Sequence, residues 1–252
     1  MDIIAPQSTG DDDDRRYPTV VFVQGSAWTT PDRDYEIPQL SELAREGFVV
    51  ATVNHRNASR DASAVFPAYL KDVKAAIRYL RANARQWHID SERLGIWARR
   101  PAATRLCWWT HCRRPRYEDG SYATESDAVS FVVSCFPPTD MMEAIDAFGN
   151  EDDPFRLYYF GPFAAVVGAT HETGLSGDVR RRAADMSPYL QARDGVAYPR
   201  RCCCTAPPTP WSPTGSRSRC TRGFLNTAWT RGWCWSTAQN TSTTSGARRC
   251  SI

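Results

Sequence analysis

The residues of this 252-residue chain best able to do chemistry are its nine cysteines, four histidines and a large excess of arginine over lysine, 29 to two. Six cysteines, Cys202, Cys203, Cys204, Cys220, Cys234 and Cys250, fall in the last stretch of the chain. Structural zinc sites draw their thiolates from close C-x2-C pairs. These six contain no such pair and no histidine lies among them, so neither a metal nor a cofactor is expected. Disulfides need an oxidising compartment. The opening MDIIAPQSTGDDDDRRYP has no apolar signal segment, and no run of about 18 apolar residues offers a membrane span. A cytoplasmic location without membrane contact is expected, and the sequons at Asn57 and Asn240 then carry no weight. Cys135 sits in an apolar run and reads as a small buried hydrophobe. His55, His88 and His171 read as loop or surface residues. Asp140 reads as a cap for a helix over Met141–Phe148.

Charge is unevenly distributed. Residues 98–116 hold six Arg and no acid, and residues 201–252 hold seven Arg and no acid, which leaves −10 on the other 181 residues. The basic tail, with Trp229, Trp233 and Trp235, has the side chains of a nucleic-acid arm, cations for phosphates and rings for stacking. Translation of GC-rich coding in a shifted frame gives the same Arg, Trp, Cys and Pro bias with no function, so nucleic acid is not the expected partner.

The elements that would position a site alternate along the chain. PTVVFV (18–23) and FVVATV (48–53) are continuous β-branched and aromatic runs, the pattern of strands buried on both faces. Residues 38–46 place Leu40 and Leu43 on one helical face, with Gly47 at the C-cap position. From Tyr69 to Ala82, Leu70, Val73, Ile77 and Leu80 recur at helical spacing. Residues 94–97 and 129–134 supply two more strands, and 141–190 reads as mostly helical. Strands separated by helices predict an α/β fold with a doubly wound, mostly parallel sheet. In such a sheet the site lies at the carboxyl ends of the strands. Those ends are Gln24-Gly25-Ser26-Ala27-Trp28, Asn54-His55-Arg56, the turn at Ala98, and residues 136–140.

FVQGSAW, FVVATVNHR, WHIDSERLGIW and SPYLQARDGVAYP, in that order, resemble the esterase/lipase (carboxylesterase-like) branch of the α/β-hydrolase superfamily. The resemblance covers about 17–97 and 117–199. It implies oxyanion-hole donors at Gly25 and Ser26, with Trp28 matching the tryptophan of the family's loop and Gln24 standing for its histidine. It also implies a G-x-S-x-G nucleophile elbow directly after Trp97. The chain has Ala98-Arg99-Arg100-Pro101-Ala102 there, with Arg100 at the serine position.

A shift of reading frame accounts for this. With GC-rich codons and one G restored after Trp97, the stretch reads W-G-A-S-S-G-G-N-T-A-L-L-V. Shifted in the same way, 201–211 reads L-L-L-H-G-T-A-D-P-V. Residues 225–235 and 239–244 give L-E-H-G-V-D-A-R-L-V-L-V-D-G-A-E-H-E-Y. The family's Asp then falls at Thr209 and its His at Thr241, in the Ser, Asp, His order of α/β-hydrolases. The expected organisation is a mobile acidic leader over 1–16, an α/β-hydrolase domain over 17–199 with 98–116 aberrant, and a disordered basic tail over 200–252. The C-terminal strands are expected to be disrupted. The implied function is serine hydrolysis of small-molecule carboxylic esters, with the chain as written inactive because no triad residue is intact. The alternative is a non-enzymatic relative whose basic tail binds an acidic partner. Acyl preference and oligomeric state are left open.

Overall fold

The computed structural model describes residues 1–7, 14–26, 30–58, 60–99, 117, 120–135, 141, 142, 145, 154–170, 175–187, 190 and 200–204. Within them lie strands β1 (Asp2–Ile4), β2 (Tyr17–Val23), β3 (Val49–Val53), β4 (Ile89–Arg99), β5 (Phe131–Cys135) and β6 (Arg200–Cys204), and helices α1 (Ile37–Arg45), α2 (Ala68–Ala82), α3 (Pro154–Val167) and α4 (Gly177–Met186). The strands form one sheet in the order β1-β3-β2-β4-β5-β6. All pairings are parallel except β1 on β3. This is the doubly wound α/β fold expected from the sequence.

Period-two alternation sends each strand's side chains to opposite faces. On one face Val21, Val23, Val49, Ala51, Val53, Leu94 and Ile96 pack beneath Leu70, Val73, Ile77 and Leu80 of α2. On the other, Phe22 and Val50 pack with Leu40 of α1, and the Trp97 ring meets Phe22 edge-on at 5.2 Å between centroids. With both faces covered, the strands must be apolar throughout, which is why they read as continuous hydrophobic runs. Gly47 ends α1 with φ +87°, a left-handed conformation that suits a residue without Cβ. Gly95 permits the close approach of β5, since a Cβ there would lie 2.3 Å from the Phe131 ring.

Three features depart from expectation. Asp2–Ile4, within the expected mobile leader, adds an antiparallel edge strand to β3, with Ile3 packed against the core. A short β-branched run beside an unpaired edge satisfies its backbone groups by joining it. Arg200–Cys204, at the head of the expected disordered tail, pairs in parallel with β5 from Phe131↔Arg200 to Cys135↔Cys204. Ladder hydrogen bonds come from the backbone, so an Arg-Cys strand can still make them. Finally, β4 continues past Trp97, with Ala98 opposite Val23 and Arg99 opposite Cys135. No glycine occupies 98–102 to turn the chain sharply, and strand pairing extends instead.

The position of β5 depends on a charged seam. On α2, Lys74 and Arg78 are 1% and 2% exposed. Lys74 Nζ lies 2.6 Å from Asp127 Oδ2, and Arg78 NH1 lies 3.6 Å from the same oxygen. Arg78 Nε donates to the Ser121 carbonyl at 2.7 Å, and Arg81 donates to the carbonyls of Ser126 and Ala128. Three cations on one helix thus hold the segment that leads into β5. A buried ion that loses its partner is far costlier than an exposed one. Asp127→Ala is therefore expected to cost about 3 kcal/mol or more in urea unfolding. Asp178→Ala, at an exposed pair with Arg181, should cost under about 1 kcal/mol. Equal losses would contradict the role given to the seam.

Candidate active site

The parallel strands direct their carboxyl ends to one side of the sheet. β2 delivers Gln24, Gly25 and Ser26 there, with Gly25 buried and the other two partly so. The loop beyond is tied across its length: Gln24 Oε1 accepts the N–H of Asp32, and Asp32 Oδ1 accepts the N–H of Asp34 at 2.9 Å. β3 delivers Asn54, His55, Arg56 and Asn57 beside it. Asn57 is buried, and its Nδ2 donates to Thr30 Oγ1 at 3.1 Å, joining the two loops. Arg56 is fixed on Asp72 of α2: its Nε donates to Oδ1 at 3.0 Å, its NH2 to the same oxygen at 2.8 Å, and its backbone N–H to Oδ2 at 2.8 Å.

His55 leans on the Tyr69 ring at 5.8 Å between centroids, and its Nδ1 is 2.9 Å from the Arg56 carbonyl oxygen. With Asn57, Tyr69 and Val166 it lines a cavity of about 10 Å³, room for a single water. Burial holds its pKa below the ordinary 6.5, outweighing the Arg56 carbonyl and the Asp72 charge, which act in the opposite sense. His55 is thus neutral at neutral pH. It lies in the loop after β3, as the sequence suggested, and is partly buried there.

Gly25 and Ser26 lie together at the end of β2, on the carboxyl side of the sheet. The β4 register brings the chain to Arg99 at the same side of the sheet, one residue before Arg100. Arg100, Trp28, Asp140, His171, Thr209 and Thr241 lie outside the described residues. Ser134 and Cys135 fall on β5 at that same side. His88 sits at φ +53° in the turn entering β4, at the opposite end of the sheet. Among the described residues no His, Cys, Asp and Glu cluster fit to hold a metal occurs, and no helix is long and apolar enough to cross a membrane. The residues that sequence reasoning missed are Asn57, Thr30, Asp32 and Asp72. Their partners are 8 to 27 positions away, and the one available signal was polar residue types directly after two buried strands.

Lowered His55 ionisation has a consequence for stability. A group whose folded pKa is depressed adds stability above its unfolded pKa, and this is lost as pH falls. The chain should lose unfolding free energy from about pH 6.5 downward. Arg56, Asp72 and Tyr69 are the charged and titratable neighbours identified around the ring. His55→Gln should reduce the loss between neutral and mildly acidic pH, measured by urea unfolding. Identical losses in both proteins would refute the assignment.

A family model described as BD-FAE matches residues 1–156. Esterase LipQ of Mycobacterium tuberculosis (strain ATCC 25618 / H37Rv) is 30% identical over 83 residues, 32% of this chain and 19% of that protein. Thermogutta terrifontis esterase 2, in a form phosphonylated by sarin, superposes with a TM-score of 0.60 at 19% identity, over 80% of this chain and 65% of that one. A bifunctional GH43-CE protein of Bacteroides eggerthii superposes with a TM-score of 0.59 at 26% identity, over 80% of this chain and 27% of that one. The chain thus spans less than a fifth of the curated relative and just under two thirds of the esterase structure.

Proposed function

We propose, from the premise that the chain belongs to the BD-FAE family of α/β-hydrolase esterases, that it derives from a serine hydrolase of small-molecule carboxylic esters and has lost activity through shifts of reading frame. The observation that carries this reading is the buried Gly25 at the end of β2 beside the end of β4, which stays strand-paired through Arg99 and whose sequence has no glycine over 98–102.

In the intact form, the serine restored in place of Arg100 would attack the ester carbonyl. A histidine at the place of Thr241 would take its proton and later pass it to the leaving alcohol. An aspartate at the place of Thr209 would orient that histidine. The Gly25 and Ser26 N–H groups would hold the developing oxyanion, an interaction stronger in the transition state than in the bound ester. Phosphonylation of Thermogutta terrifontis esterase 2 by sarin supports a covalent route for this chain. As translated, the chain carries Arg100 at the family's serine position, and its guanidinium offers no nucleophilic oxygen.

Loss of the nucleophile or base costs about 10⁴–10⁶ in rate, and loss of the whole triad little more. The full chain is expected to hydrolyse short p-nitrophenyl esters no faster than background. Restoring the frame after Trp97 and near Arg200 should return turnover, and changing the restored serine to alanine should abolish it. Turnover by the unrepaired chain, with covalent labelling by a serine-directed phosphonate, would overturn the proposal. The nucleophile would then be sought at Ser26 or Ser134.

A further inference from the structure

The loop between β2 and α1 is held on both flanks from two different strands. On the near flank, Gln24 reaches across eight residues to the Asp32 N–H. On the far flank, Asn57, at the end of β3, reaches 27 residues back to Thr30 Oγ1. Asn57 is itself fixed, because its carbonyl accepts the N–H groups of Arg60 at 3.2 Å and Asp61 at 3.0 Å. Its neighbour Arg56 is locked on Asp72 of α2. The loop is therefore referenced to the sheet through Gln24 and to α2 through Asn57.

We propose that Gln24, Asn57 and Thr30 are positioning residues that aim the Gly25 and Ser26 N–H groups at the oxyanion. Donors aligned before reaction need no reorganisation when charge develops on the carbonyl oxygen, and this pre-alignment is where such a site gains most of its rate. A loop tied at one flank could still swing about the other, whereas two ties from separate elements fix its orientation. Each tie is a single side-chain hydrogen bond at the strand ends, so it carries a small share of global stability and a large share of loop geometry. The bracing uses only residues outside the shifted segments, so it persists in the chain as translated. The catalytic part of the inference rests on the esterase reading above; the bracing itself does not.

Two measurements separate these. By amide hydrogen exchange on the full chain as translated, Gln24→Met and Thr30→Val should each speed exchange at Asp32 about tenfold or more, with the α2 amides unchanged. Gln24→Glu and Thr30→Ser keep an acceptor and a hydroxyl respectively and should retain protection. An Asp32 amide that exchanges at the same rate in Gln24→Met overturns the bracing. In the frame-restored chain, Thr30→Val should lower kcat about ten- to a hundredfold while KM moves less than about threefold. Thr30→Ser should recover most of that loss, and Tm should barely change in either. An unchanged kcat, or a loss that simply follows a fall in Tm, overturns the positioning role. If the frame-restored chain hydrolyses no ester, the esterase reading falls and the exchange result alone upholds or overturns the bracing.

Discussion

Burial of β2, β3 and β4 on both faces is the constraint from which the rest of the molecule follows. A strand covered on one side by α1 and on the other by α2 has no polar face to spare. The sequence must then supply uninterrupted apolar runs, and its polar chemistry is displaced to the strand ends. This is why Gln24, Asn54, His55, Arg56 and Asn57 all appear directly after a buried run. The Phe22–Trp97 contact and the missing Cβ at Gly95 set how closely the neighbouring strands approach. The β2–β4 ladder, with Val23 opposite Ala98, places the loop after β2 beside the chain leaving β4.

Charge plays two roles that depend on depth. Lys74 and Arg78 are buried, and their gain in holding the segment before β5 depends on Asp127 and on carbonyl partners such as Ser121. Arg56, half exposed, contributes through bidentate geometry on Asp72 and orients the loop after β3. The six arginines of 98–116 are set apart by their sequence, which holds no acid. Nothing in the pattern of that stretch, neither alternation nor helical spacing, resembles the elements on either side.

Much of the fold was legible because its strongest signals are local. β2 and β3 announce themselves by β-branched runs, α2 by apolar spacing and α1 by the glycine that ends it. β1 and β6 were not legible. Three residues at one edge and an Arg-Cys run at the other are strands only because a neighbouring backbone is there to pair with, which no window of sequence records. The site divides in the same way. The loop holding Gly25 and Ser26 could be located from its place after a buried strand, and the oxyanion role expected of them came only from the resemblance, while Asn57 looked like a sequon and Asp72 like one polar residue of a helix. Their roles come from contacts with Thr30 and Arg56, set by how β3 and α2 pack.

The central claim is that an esterase of this fold lies beneath a displaced reading frame, and the coding DNA tests it most directly. The nucleotide sequence across codons 97–116 and 199–252 should, with one base restored after the Trp97 codon and another near codon 200, read through without a stop. It should encode a G-x-S-x-G turn at 98–102, an aspartate at the place of Thr209 and a histidine at the place of Thr241. Stop codons in those frames, or frames that encode none of the three, would contradict the account.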